Sequence, residues 1–143
     1  MVGTISATVR RVSERFRHAI RATEADIDEL GHVSNLVYVR WVLETATAHS
    51  LARGWGHPEY RKHGAVFVVR RHEIDYLAPV MLGDELVGET WVDPWKAASC
   101  VRRTELVRGD KVVARAATTW AFMQYASGRP IRIPDELRAV FST

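Results

Sequence analysis

The chain has 143 residues, of which 47% are hydrophobic and 26% are charged, and its formal net charge is +3 at pH 7. This length and apolar content predict a single domain, residues 1–143, with its own hydrophobic core. The small positive excess does not suggest a nucleic-acid-binding protein, and no segment approaches the roughly 18 apolar residues that span a membrane.

Cysteine content and the N-terminus bear on the cellular location. Cys100 is the only cysteine, so the chain can form no internal disulfide and no cysteine metal cluster. Residues 1–10 lack the basic segment and the long apolar segment of a secretion signal. We therefore expect a cytoplasmic, unprocessed protein.

The hydrophobic pattern of the first half predicts a strand and then one long helix. Residues 16–22 alternate loosely and favour a strand, whereas residues 36–52 carry apolar side chains at a spacing typical of a nearly buried helix. Ser34 or Asn35 is the predicted N-cap, and Gly54 ends the helix. The roughly twelve residues that follow are rich in turn-forming types and predict a connector.

The second half predicts consecutive strands. The segment Ala65–Tyr76 is rich in β-branched and aromatic residues, and residues 85–92 alternate polar with apolar until Pro94 ends or bulges the strand. Residues 97–108 and 111–125 form two strands joined by a hairpin turn, and a short final helix follows Pro134. One long helix and about five strands indicate an α+β protein.

Residues with useful chemistry are concentrated just before the long helix. The ten positions from Asp26 to Asn35 also contain Asp28, Gly31 and His32. The first amides of a helix lack intrahelical acceptors and carry partial positive charge, which favours an anion at that place. The pattern indicates a site that stabilises an oxyanion.

The segment DELGHVSNLVYVRWVLE, residues 28–44, resembles a known family signature. It is similar to the D-x-x-G-H-V-x-N-x-x-Y-x-x-W/F-x-x-E pattern of hotdog-fold acyl-CoA thioesterases of the 4-hydroxybenzoyl-CoA thioesterase-like family. Residues 73–86 and 128–134 extend the likeness over most of the chain. The resemblance implies a hotdog fold, in which an antiparallel sheet wraps one long central helix, and assembly into dimers or homotetrameric dimers of dimers.

The resemblance also implies residue roles in hydrolysis of an acyl-CoA or acyl-carrier-protein thioester. Asp28 would be the nucleophile or the general base, His32 would orient the carbonyl, and Asn35 would hold the attacking water. The backbone amides of Val33 and Ser34 would bind the oxyanion. Simpler structural roles are also open, because aspartates often cap turns and asparagines often cap helices.

Asp26 and Glu44 are secondary candidates for the carboxylate. Asp26 could share a face with Asp28, where like charges would raise one pKa, or it could be a solvated loop residue. Glu44 lies four residues after Arg40, so an ion pair between these two side chains is the simpler interpretation.

Four residues are candidates for substrate binding. Tyr38 and Phe67 would contact the acyl chain, although Tyr38 is also expected to pack against the sheet, and Arg70 and Arg71 would bind coenzyme A phosphates unless they form an exposed face. No phosphate-binding glycine loop, serine-nucleophile motif or metal-spaced histidine set occurs, so we expect no metal and no cofactor. Acyl length and the choice between coenzyme A and carrier protein stay open.

Two other functions are compatible with these residues. Hotdog hydratases and dehydratases pair a histidine with an acid, as His32 and Asp28 could, but the Asn-Pro pair of that motif is absent here. A non-catalytic acyl-CoA-binding domain is the other alternative.

Overall fold

The computed structural model describes residues 15–142, which form a five-stranded sheet and three α-helices. The strands are β1 Phe16–Arg21, β2 Ala65–Tyr76, β3 Glu85–Trp95, β4 Ser99–Arg108 and β5 Lys111–Gln124. The helices are α1 Asn35–Ala52, α2 His57–His63 and α3 Asp135–Phe141. None of the helices in this part of the chain is long and apolar enough to cross a membrane. The N-terminal residues that bear on a secretion signal lie outside the described range.

The sheet has the order β1-β3-β4-β5-β2, and all neighbouring strands are antiparallel. The inward side chains of β4, Cys100, Arg102, Thr104 and Leu106, are buried, as their alternation predicts. Helix α1 packs on this side of the sheet. The predicted α+β architecture of one long helix and five strands is confirmed.

Gly88 on β3 allows close approach of helix and sheet. A Cβ atom at Gly88 would overlap the Thr45 hydroxyl and would lie 3.1 Å from Thr45 Cγ2. Thr45 is fully buried on α1, and its hydroxyl donates to the Trp41 carbonyl at 2.8 Å. The distance between α1 and β3 therefore depends on the missing side chain at position 88.

The predicted connector after Gly54 contains a helix, α2, and the prediction was wrong there. Gly56 precedes α2 and donates its amide to the Glu59 carboxylate at 3.1 Å, while Gly64 ends it with a φ of 71°. Tyr60 is the one buried residue of this helix. A seven-residue helix with a single buried side chain has no apolar periodicity, so its residues looked like turn residues.

The core consists of two hydrophobic clusters at opposite ends of α1. The first surrounds the N-terminal half of the helix and includes Val33, Tyr38, Trp41, Val80 and Leu86. The second joins α2, α3 and the sheet, and its buried members are Tyr60, Ala65, Phe122, Ile133, Leu137 and Phe141. The two ends of α1 therefore lie in separate environments.

Strand β2 lies at one edge of the sheet and pairs only with β5 among residues 15–142. Its pairing shifts register between Val69 and Arg71, and Val68 is 42% exposed. Within residues 15–142, this strand therefore has one free edge and is not buried on both faces.

Candidate active site

Residues 27–34 fold into a compact turn that leads into α1. The Asp28 amide donates to the His32 carbonyl at 2.9 Å, and the Gly31 amide donates to the Asp28 carbonyl at 3.1 Å. Ile27 and Val33 close the turn as a β-bridge. Gly31 has a φ of 87°, a conformation that glycine adopts without steric cost.

The Asp28 carboxylate is held by one of its two oxygens. Oδ1 accepts the Leu30 amide at 2.9 Å, so the turn-capping role of an aspartate is present here. Oδ2 accepts no hydrogen bond from any residue in the range 15–142. The side chain is half-buried. One oxygen thus fixes the orientation of the group, and the other has free lone pairs.

Asp26 anchors this turn to α1. It is 3% exposed, and Oδ1 accepts the Arg40 guanidinium at 2.7 Å. Oδ2 accepts the amide of Thr23 at 2.9 Å and its hydroxyl at 3.1 Å. Burial raises the pKa of Asp26, but the hydrogen bonds from Thr23 and Arg40 outweigh burial, and the pKa is lowered overall.

The alternative of a solvated Asp26 was therefore wrong, because the side chain is buried, and its own pKa is not the one that is raised. The Arg40 guanidinium also contacts the Glu44 carboxylate at 3.4 Å. The predicted ion pair between Arg40 and Glu44 is confirmed. Both secondary carboxylates are thus paired with one arginine.

Ser34, and not Asn35, is the N-cap of α1. The Ser34 hydroxyl accepts the Leu36 amide at 3.2 Å, and its carbonyl accepts the Val37 amide at 2.9 Å. Asn35 is the first residue of the helix and is exposed. Its side chain is therefore not needed to cap the helix.

The amides predicted to bind an oxyanion already have acceptors. Val33 donates to the Val80 carbonyl at 2.8 Å, and Ser34 donates to the Asp26 carbonyl at 3.0 Å. The assignment of Val33 and Ser34 as free donors is corrected accordingly. The Asn35 amide, by contrast, has no acceptor within residues 15–142.

Apolar side chains surround this turn and are open to solvent. Leu30 is 78% exposed and Leu36 is 79% exposed. The segment after β2 lies alongside, because the Tyr76 hydroxyl donates to the Asn35 carbonyl at 3.3 Å. Further exposed apolar residues on that segment are Leu77, Met81 and Leu82. His32 is half-buried in the turn between these groups.

The two acyl-chain candidates are not brought together within one chain. Tyr38 is 3% exposed in the first cluster, and its hydroxyl donates to the Ala78 carbonyl at 3.1 Å. The expected packing of Tyr38 is observed, and burial raises its pKa. Phe67 packs in the second cluster, with its ring centroid 5.0 Å from that of Phe122.

Arg70 and Arg71 are exposed on β2, away from the turn. The Arg71 guanidinium lies 3.5 Å from the Glu73 carboxylate, and Arg70 Nη2 lies 3.9 Å from Met123 Sδ. Both side chains therefore match the alternative prediction, that of an exposed charged face. In the part of the chain from 15 to 142, no group of three or more His, Cys, Asp or Glu residues is suited to bind a metal ion.

Sequence reasoning missed a polar cluster near the C-terminal half of α1. Arg102 is 6% exposed and donates from Nη1 to His49 Nδ1 at 2.9 Å. Arg102 also lines a cavity of about 240 Å³. A signal was present, because alternation places Arg102 on the inward face of β4 between Cys100 and Thr104.

Comparison with known proteins gives a family match over most of the chain. The family model described as the thioesterase-like superfamily matches residues 23–141. A chloroplastic acyl-(acyl-carrier-protein) hydrolase, FATB3, from Cuphea viscosissima is 27% identical over 142 residues, which covers 89% of this chain and 32% of that protein. The acyl-CoA thioesterase YbgC from Haemophilus influenzae is 31% identical over 75 residues, covering 52% of this chain and 55% of that protein.

The chain thus spans about a third of the first relative and about half of the second. Among solved structures, a 1,4-dihydroxy-2-naphthoyl-CoA thioesterase from Synechocystis superposes with a TM-score of 0.82 at 17% identity. That match covers 89% of this chain and 95% of the other. The hotdog fold prediction is confirmed.

Proposed function

Because the chain belongs to the thioesterase-like superfamily, we propose that it hydrolyses an acyl-CoA or acyl-carrier-protein thioester with Asp28 as nucleophile or general base. The observation that carries the proposal is the Asp28 carboxylate, which is oriented through Oδ1 and free at Oδ2. This carboxylate belongs to the turn that leads directly into α1. Substrate names in the relatives, an acyl-CoA and an acyl carrier protein, support both thioester classes.

The chemistry requires few groups. A thioester is already activated, and its leaving thiolate has a pKa of about 8.5, so little acid assistance is needed. Asp28 Oδ2 attacks the acyl carbon or removes a proton from the attacking water. The Asn35 amide, at the positive end of the helix, stabilises the oxyanion, while His32 orients the carbonyl and the Asn35 side chain holds water.

The residues around the turn suit an apolar substrate and a site that a second chain completes. The exposed apolar residues beside the turn give an acyl group or a second protomer a surface to cover. Pairing of two copies through the free edge of β2 forms the homodimer in this proposal, and a dimer of dimers extends it. Arg70 and Arg71 contact phosphates of coenzyme A, Tyr38 supports the acyl site, and no metal or cofactor takes part. The protein acts in the cytoplasm.

The test is a thiol-release assay across acyl-CoAs of different length and aromaticity. Asp28→Asn should lower kcat by roughly two to four orders of magnitude, because an amide cannot act as base or form the acyl intermediate. The matched control is Glu29→Gln, which removes the neighbouring exposed carboxylate and should leave turnover within about twofold. Near-normal hydrolysis by Asp28→Asn would eliminate the proposed role.

Two parallel measurements separate the alternatives. Loss of enoyl absorbance from crotonyl-CoA without thiol release would indicate a hydratase in which His32 and Asp28 act together. Thermal stabilisation by acyl-CoAs without turnover of any of them would indicate a binding domain.

A further inference from the structure

A cavity lies between the C-terminal half of α1 and the sheet. Its volume is about 240 Å³, and its wall includes six aromatic side chains, those of Trp55, Tyr60, Phe67, Trp95, Trp120 and Phe141. A cavity of about 150 Å³ with apolar walls can hold a benzene molecule, so this space accommodates a ring together with a small polar group.

Arg102 contributes a buried positive charge to this wall. Its guanidinium carbon lies 5.2 Å from the centroid of the Phe141 ring, and Nη1 donates to His49 Nδ1 and to the Thr90 hydroxyl. Burial lowers the pKa of Arg102 to about 10, so the group is still a cation at neutral pH. No carboxylate in the range 15–142 lies within ion-pair distance of it.

Several donors around Arg102 lack acceptors. Its Nε and Nη2 atoms donate to no group within residues 15–142. Since Arg102 can only donate, His49 accepts at Nδ1 and carries its proton on Nε2, which is buried without a partner. The indole Nε1 of Trp120 is also buried without one. The unmet groups on the two residues that line the cavity, Arg102 and Trp120, are donors, so the missing partner is an acceptor, and the uncompensated charge specifies an anion.

We propose that this cavity is a binding site for a small carboxylate with an apolar, ring-sized body, whose carboxylate pairs with Arg102. The planar guanidinium forms parallel hydrogen bonds with a carboxylate, and the aromatic wall covers the apolar body. Such a ligand supplies both the acceptor and the negative charge that the described residues lack.

This site is separate from the Asp28 turn. The turn precedes Asn35, whereas the cavity begins at Ala46, about 16 Å further along the helix axis at 1.5 Å per residue. The buried side chains of the first cluster, among them Trp41, fill the space between the helix and the sheet near the turn. The inference therefore does not rest on thioester hydrolysis.

Benzoate is the probe, and benzamide is its uncharged counterpart of nearly equal shape. Binding can be measured by calorimetry and by tryptophan fluorescence, since Trp55, Trp95 and Trp120 line the cavity. We expect saturable binding of benzoate and a preference over benzamide of roughly tenfold or more, the usual range for hydrogen bonds to charged groups. Equal affinity for the two probes would overturn the proposal. An absence of benzoate binding at about 10 mM would also overturn it, because this concentration lies well above the dissociation constants of specific small ligands.

Variants locate the site. Arg102→Met should abolish the preference for benzoate, and Arg102→Lys, which keeps the charge, should retain part of it. The control is Arg103→Gln at the next position of β4, where Nε donates to the Asp93 carbonyl at 3.0 Å outside the cavity lining. Asp28→Asn should bind benzoate as the parent does, and a loss of binding there would assign the probe to the turn and contradict the inference. The comparison of two probes needs no variant, so it decides the matter even if Arg102→Met does not fold.

Discussion

Gly88→Ala tests the close contact between α1 and β3. The new Cβ would overlap the Thr45 hydroxyl, which is fixed by its hydrogen bond to the Trp41 carbonyl, and would lie 3.3 Å from Ile20 Cδ1. Thr45 is fully buried, and rotating its hydroxyl away would break this hydrogen bond. Overpacking costs about 1–3 kcal/mol, and alanine recovers about 0.5 kcal/mol relative to glycine in a strand. We expect a net loss of about 1.5 kcal/mol in the free energy of unfolding.

A double-mutant cycle measured by urea unfolding isolates this contact. Thr45→Ala removes the overlapping hydroxyl, so the double variant should be more stable than the sum of the single changes predicts by about 2 kcal/mol. Thr45→Ser keeps the hydroxyl and should rescue Gly88→Ala much less. Additive effects in the cycle, or a loss below about 0.5 kcal/mol for Gly88→Ala, would refute the reasoning.

Two further predictions concern the turn before α1. Arg40→Met should lower the free energy of unfolding by about 1–2 kcal/mol at pH 7, less than for a fully buried pair because the Arg40 side chain is 51% exposed. Since the folded-state pKa of Asp26 is lowered from 3.8, this stabilisation is present above pH 3.8 and is lost as pH falls through the folded-state pKa. Urea unfolding at several pH values checks this, with Glu44→Gln as a nearly neutral control, and a deficit that persists unchanged into acid would contradict it. Ser34→Ala should cost about 1 kcal/mol in thermal unfolding and Ser34→Asp much less, because only the latter keeps a cap for Leu36.

The sequence predicted the helices and strands in which buried side chains recur at a regular spacing. The apolar spacing of residues 36–52 identifies α1, and alternation places Cys100, Arg102 and Thr104 on one face of β4. Helix α2 was missed because only Tyr60 is buried in it. Periodicity therefore finds long elements with a continuous buried face and fails for short ones.

The chemistry of the turn was predicted only in part. Residue types and spacing identify Asp28 as a candidate, but they do not reveal which amides are already engaged. Val33 donates to Val80, which is 47 positions away, and Asp26 pairs with Arg40, which is 14 positions away on α1. These partners come from tertiary structure, so the corrections to Val33, Ser34 and Asp26 could not be made from the sequence.

Within residues 15–142, the two borders of the sheet differ in length and charge, with a consequence for self-association. β2 presents twelve residues, roughly 40 Å of backbone, whereas the described part of β1 presents six, with Arg17 58% exposed near its start. Charged side chains on such a border discourage a second copy from adding there. If only the β2 edge pairs with an identical copy, each copy covers the free β2 edge of the other. Growth then stops at a closed dimer and does not continue into a fibre.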